Sequence, residues 1–171
     1  MKSFVKVGFL VLLIGIGGCR MRFSFTGASI TPDMKTVSVA YFPNRAPIVN
    51  PSLSQDFTEK LKDRFISQTS LNMLSDGGDL SFEGEIVDYN TKPMAISQNQ
   101  QQEQASLNRL SITINVKFTN QIDPTKNFES KFTAYEDYNS DQGLDAVEGE
   151  LVPLIIDKII EDVFNKAVVN W

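Results

Sequence analysis

Residues 107–119 read Leu-Asn-Arg-Leu-Ser-Ile-Thr-Ile-Asn-Val-Lys-Phe-Thr. In an extended chain Leu110, Ile112, Ile114, Val116 and Phe118 fall on one side. Arg109, Ser111, Thr113, Asn115 and Lys117 fall on the other. A period of two over this length fits a half-buried β-strand and no helix. Asp123-Pro124 turns the chain, and residues 127–137 return with Phe128, Phe132 and Ala134 on the same side. The result is a hairpin with one apolar face. Setting Phe118 opposite Phe128 places Lys117 opposite Glu129 and Asn115 opposite Lys131. A sheet with one apolar face needs a second layer to cover it.

Two segments can supply that layer. Leu53, Phe57, Leu61 and Phe65 recur every fourth residue, which predicts a helix over 52–68 with one apolar face. Ser52 and Gln55 have the spacing of a capping box, with Pro51 just before the first turn. Residues 144–169 form a second helical pattern. Its stripe comprises Val147, Leu151, Leu154, Ile155, Ile159, Val163, Phe164, Ala167 and Val168. Pro153 lacks an amide hydrogen and should kink or restart this helix near its first turns.

The remaining strands are shorter. Residues 36–41 alternate, and Pro43 ends them. Residues 71–74 suit a short strand, and Asp76-Gly-Gly-Asp79 a turn. Residues 80–89 place Leu80, Phe82, Gly84 and Ile86 on one face, with Gly84 marking a bulge and 90–94 breaking the strand. Residues 97–104, nearly all Gln and Asn, form a polar tip. The predicted fold is α+β: a two-layer sandwich, two helices on one face of a mostly antiparallel sheet of about four strands.

The N-terminus carries a different signal. Lys2 and Lys6 precede an apolar run that ends Ile16-Gly17-Gly18-Cys19. A charged start, an apolar stretch and small residues before a cleavage point make an export signal. The run is about half the roughly 20 residues a spanning helix needs. The final four residues resemble a bacterial lipobox. There the cysteine sulfur takes a diacylglycerol, the peptide is cut before the cysteine, and the new amine is acylated. The chain thus divides into a signal peptide at 1–18, an anchor and linker at 19–35, and a folded domain at 36–171. Cys19 is the only cysteine, so no disulfide can form and the core must carry the stability.

Charge and composition exclude several functions. Removing residues 1–18 takes two lysines away and leaves 14 basic against 21 acidic residues, a net charge of −7. Nucleic acid as a partner is disfavoured, since phosphate binding needs a basic field. The chain has no histidine, which removes the usual zinc and haem ligand sets and the His-based triads. No paired-carboxylate motif or calcium loop stands out. The expectation is a protein that is not an enzyme and uses no cofactor.

Several segments together carry a family likeness. They are Phe25-Thr-Gly-Ala-Ser-Ile30, Thr36-Val-Ser-Val-Ala-Tyr-Phe-Pro-Asn44, Asn50-Pro-Ser-Leu-Ser-Gln55, Leu61-Lys-Asp-Arg-Phe65, Phe82-Glu-Gly-Glu-Ile86, Arg109-Leu-Ser-Ile-Thr-Ile-Asn-Val-Lys-Phe118 and Glu161-Asp-Val-Phe-Asn-Lys-Ala167. In this order and spacing the chain resembles the short form of the lipopolysaccharide-assembly lipoproteins, the LptE family. The resemblance implies a lipoprotein held by its N-terminal lipid on the periplasmic side of the outer membrane. It implies the outer-membrane β-barrel LptD as partner, with the lipoprotein inside it as plug and assembly factor in lipopolysaccharide export. It also implies a four-stranded sheet under two helices.

Lipopolysaccharide carries phosphates and acidic sugars, so a direct contact calls for Lys and Arg on a defined face. Arg109, Lys131 and Lys117 lie on the polar side of the hairpin and are the candidates. An ordinary solvated strand face accounts for the same residues, and a Lys117–Glu129 cross-strand pair would be a modest stabiliser. The competing function is a stand-alone lipid-anchored periplasmic protein that binds a hydrophobic or anionic ligand.

Overall fold

A computed structural model of the chain describes residues 30–48, 50–94 and 106–168. Cys19, the signal segment and the polar tip at 97–104 lie outside the described residues. The elements are β1 (Thr36–Val39), α1 (Leu53–Gln68), β2 (Asn72–Leu74), β3 (Leu80–Met94), β4 (Leu107–Asn120), a 3-10 turn at Pro124–Lys126, β5 (Phe128–Asn139) and α2 (Leu144–Val168). They form a two-layer α+β sandwich. One sheet has the order β2-β1-β3-β4-β5. Five strands replace the expected four, because the three-residue β2 adds an edge. β1 pairs in parallel with β2 and β3, but over only three residues each. The β3–β4 and β4–β5 ladders are antiparallel and run almost the full strand lengths. The sheet is therefore mostly antiparallel by extent.

The hairpin has the register read from the sequence: Phe118 faces Phe128, Lys117 faces Glu129, and Asn115 faces Lys131. Leu110, Ile112, Ile114 and Val116 are fully buried, as are Leu53, Phe57, Leu61 and Phe65 of α1. A line of rings stitches the layers together. Phe164 of α2 meets Phe65 of α1 at 5.1 Å, and Phe65 meets Phe82 of β3 at 4.7 Å. Phe82 meets Phe118 at 4.9 Å, and Phe118 meets Phe128 at 5.2 Å. Each tilted ring pair adds about 0.5–1.5 kcal/mol beyond the area it buries. This chain of contacts explains why so much of the core is phenylalanine.

Four local expectations are corrected. First, β3 does not break at residue 90 but continues to Met94. The ladder phase explains how it passes Pro93. Gln121 N–H donates to Asp79 O, so odd-numbered residues of β4 are the ones bonded to β3. Pro93 is opposite Asn108, an even position, so its nitrogen points away from β4. On that side β3 has left β1 behind, and a missing N–H costs no ladder bond.

Second, the bulge is not at Gly84. The register shifts between Ile86 and Asp88, which turns Tyr89 rather than Asp88 toward the core. Gly84 serves a close approach. A Cβ there would lie 2.0 Å from Asn115 O and 2.7 Å from Cε1 of Phe42.

Third, Ser52 makes no side-chain cap bond. Asn50 does that work instead. Its Oδ1 accepts from the Ser52 and Leu53 amides at 3.0 and 3.2 Å, and Pro51, just before the helix, has no amide that needs a partner. Its Nδ2 donates to Glu148 Oε1 at 2.9 Å, and the Tyr89 hydroxyl donates to the same oxygen. One asparagine thus ties the start of α1 to α2 and β3. Burial, then the nearby Glu148 carboxylate, holds the Tyr89 phenol well above its usual range. Asn50→Ala removes the cap and one of the Glu148 bonds. A loss of about 2 kcal/mol is expected, against a few tenths for Ser52→Ala, with urea midpoints as the measurement.

Fourth, α2 does not restart at Pro153 but runs through it as one helix, and Leu154 is 46% exposed. The helix is buried over an arc of about 180° from Leu151 to Ile160, because it lies against both β5 and α1. That arc takes in Val152, Ile156 and Ile160 and leaves Leu154 outside.

The turn at 76–79 is where the sequence indicated. Asp79 Oδ2 accepts from the Lys35 and Thr36 amides at 2.8 and 2.9 Å, and Thr36 Oγ1 accepts from Asp79 N–H. These bonds hold the Asp79 carboxyl below the usual carboxylate range, the Lys35 amide contributing most.

Candidate functional site

The helices cover one face of the sheet. The other face is polar across its three long strands, because the residues that alternate with the core are polar in all of them. Five cross-strand rows lie there: Glu83–Lys117–Glu129, Glu85–Asn115–Lys131, Asp88–Thr113–Thr133, Asn90–Ser111–Tyr135 and Lys92–Arg109–Asp137. Tyr135 is their one aromatic, and the rows carry four cations and five anions. Hydrogen bonds run across them. Asn115 Nδ2 donates to Glu129 Oε1 at 2.9 Å, and the Thr113 and Thr133 hydroxyls meet at 2.9 Å.

The three candidate cations all face this surface, but not as one cluster. Arg109 forms a forked pair with Asp137, Nε to Oδ1 at 2.7 Å and Nη2 to Oδ2 at 2.8 Å. Its guanidinium also lies 3.5 Å from the centre of the Tyr135 ring. The Arg109 bond lowers the Asp137 carboxyl, and the carboxylate raises the guanidinium in turn. Arg109 is thus occupied within the sheet. Lys117 reaches Glu83 Oε2 at 3.5 Å, so its register partner Glu129 is not its ion-pair partner. Glu129 is instead engaged by Asn115. Lys131 is exposed and forms no ion pair among the described residues. Lys131 sits diagonally from Lys117, at about 7–8 Å by ordinary sheet geometry. Arg109 and Lys131 are six residues apart along the strands, about 20 Å.

Sequence reasoning missed Tyr135, Asp137 and Glu83. The first two were within reach. The register that sets Phe118 against Phe128 also sets Arg109 against Asp137, since the pairing runs unbroken. Glu83 was not within reach, because no local pattern tells which strand lies on the other side of β4.

On the helix side a groove between α1 and α2 is lined by Lys60, Asp63, Arg64, Asp157, Lys158 and Glu161 together with Leu154 and Ile160. It is crossed by the Lys60–Asp157 ion pair at 2.6 Å. No group of three or more carboxylate, Cys or His side chains among the described residues is placed to hold a metal ion. No described helix is long and apolar enough to cross a membrane.

The lipopolysaccharide-assembly family model, LptE, matches residues 34–167. The chain belongs to the LptE family. The match covers every strand and helix of the sandwich except the last residue of α2. A crystal structure of a minor lipoprotein from Acinetobacter baumannii superimposes with a TM-score of 0.51 at 13% identity, over 78% of this chain and 91% of that one. The hypothetical protein CT253 from Chlamydia trachomatis gives 0.53 at 10% identity, over 77% and 94%. At these identities the two likenesses speak to the fold alone. Rare lipoprotein B from Shewanella oneidensis also matches, with a TM-score of 0.42 at 10% identity, over 75% and 89%. No curated protein matches in sequence. The family assignment relates this LptE-like chain to lipopolysaccharide assembly.

Proposed function

We propose that this chain is an outer-membrane lipoprotein, acylated at Cys19, that plugs the LptD barrel and assists its assembly for lipopolysaccharide export. The observation that carries this reading is the polar, uncovered face of the sheet. The lumen of a large outer-membrane barrel is polar. A protein lodged in it needs a hydrophilic surface with charges of both signs and no broad apolar patch. The β3–β4–β5 face has that character over strands of 12 to 15 residues. The large hydrophobic side chains that are exposed, such as Tyr41, Ile66, Ile122 and Leu154, come from different parts of the chain. The role is structural and non-catalytic.

The alternative, a stand-alone carrier of a hydrophobic or anionic ligand, would call for an apolar pocket or a cluster of cations. The groove between α1 and α2 instead mixes cations and anions with Leu154 and Ile160. If lipopolysaccharide is touched directly, Lys131 is the first candidate and Lys117 the second. Arg109 would have to leave both Asp137 and Tyr135 to take part.

The test is affinity purification of the tagged full chain from outer membranes. A large barrel should co-purify, and the intact mass should show residues 1–18 removed and Cys19 acylated. Purified lipopolysaccharide is then offered to the parent and to the Lys131→Glu and Arg109→Glu/Lys131→Glu variants at two salt concentrations. Weaker binding by Lys131→Glu at low salt supports direct contact. Recovery of the chain without a barrel, but with a bound small hydrophobic or anionic ligand, would favour the carrier.

A further inference from the structure

The long helix α2 changes character at Pro153. From Ile155 onward it is tied to both of its neighbours. Ile155, Ile156, Ile159, Ile160 and Val163 are buried. Asp157 pairs with Lys60 of α1, and Lys158 pairs with Glu136 of β5. Further on, Lys166 Nζ donates to Ser130 Oγ of β5 at 2.6 Å. Before Pro153, the polar side-chain ties to other elements among the described residues meet at one atom, Glu148 Oε1. It accepts from Asn50 Nδ2 at 2.9 Å and from the Tyr89 hydroxyl. Val147, on the same turn, packs half-buried against the core.

Two residues weaken the helix between these parts. Pro153 has no amide to give to the carbonyl four residues back, and that carbonyl belongs to Gly149. Glycine is the poorest helix former after proline. Packing does not demand it at 149, because a Cβ there would meet nothing within 4 Å and the residue is exposed. The missing bond and the weakest residue thus fall in one turn, just after the one latching side chain.

We propose that the start of α2, residues 144–148, is a strap that swings on a hinge at Gly149–Pro153 and is latched by Glu148 on Tyr89 and Asn50. Tyr89 is 2% exposed with the strap in place. Opening would uncover its ring. It would also widen the cleft where β4 begins and β5 ends, which is lined by Leu107, Tyr138, Val147 and Leu151. The helix beyond Pro153 would stay in place, held by its buried face and its lysine ties. This device goes beyond the barrel-plug reading and stands without it.

The test is hydrogen exchange followed by mass spectrometry on the full chain extracted from membranes. Local opening frees the amides of the opening segment and leaves the rest protected. In the parent, amides 148–152 are expected to exchange at least tenfold faster than amides 155–163, with a step at the proline. Glu148→Ala removes both latch bonds, each made to a charged acceptor. It should speed the first group a further tenfold to hundredfold, on the order of what such bonds contribute, and leave the second group unchanged. Adding Gly149→Ala/Pro153→Ala returns the missing helical bond. That chain should bring amides 148–152 back to within about threefold of the parent. Should Glu148→Ala fail to fold, Tyr89→Phe takes its place. It keeps the ring and removes one latch bond, with about a tenfold acceleration expected. Three results would overturn the hinge: a gradual rise in exchange toward Leu144 with no step, which is simple fraying of the helix end; equal acceleration of both groups, or of neither, by the latch variants; or no slowing when the helical bond is returned.

Discussion

An Ile114→Asp chain is expected to show no cooperative unfolding transition. Ile114 is fully buried in the middle of β4, the strand that holds both long ladders. Its neighbours are Ile86 on β3 and Phe132 on β5, with the helix layer above. The substitution forfeits about 2–3 kcal/mol of side-chain burial. It also puts a carboxylate into the fully buried core, at a cost of several kcal/mol more, even if the group protonates. The sum rivals the 5–15 kcal/mol that ordinarily separates folded from unfolded domains. Ile114→Val, the matched control, should cost about 0.5–1.5 kcal/mol and keep a sharp transition. Thermal melts followed by circular dichroism decide the matter. An aspartate variant that melts like the parent would mean that the side of β4 facing the helices has been misassigned.

Gly84→Ala is expected to cost at least 3 kcal/mol, far more than its single methyl suggests. The added carbon would stand 2.0 Å from Asn115 O on the adjoining strand and 2.7 Å from the Phe42 ring. The ring can tilt, but a backbone carbonyl in the middle of a ladder cannot move without splaying β3 from β4. Phe42→Leu in the same chain should therefore restore only part of the loss. Full restoration in urea titrations would show that the ring, and not the ladder, is what glycine accommodates there.

Glycine at 84 shows where the sequence stops being readable. A residue without a side chain inside a strand pattern has two ready explanations, a bulge or a close approach. Only the positions of Asn115 O on β4 and of Phe42, brought back over β3 by the chain that follows β1, select between them. Pro93 is a similar case. Its ring excludes a donor, but whether a donor was needed depends on which way the ladder phase turns its nitrogen. Ser52 and Gln55 had the spacing of a cap, yet Asn50 serves both α1 and Glu148, a residue 98 positions away.

What the sequence by itself determined was the sandwich and most of its faces. Strict alternation in β4 allows one buried side, and the apolar repeat of α1 allows one buried stripe. The Phe118–Phe128 match then sets the hairpin register, because a slip of one residue would turn every apolar side chain to water. What only the tertiary structure decided was how the polar residues are used. The side of a strand on which a cation lies follows from period two, and so Arg109, Lys117 and Lys131 were all read correctly as facing away from the core. Whether each is free follows from what the neighbouring strands bring opposite it. Asp137 and Tyr135 occupy Arg109, Glu83 occupies Lys117, and Lys131 is left without an ion pair among the described residues, because charge pairing is a matter of a few ångströms between residues that the chain keeps far apart.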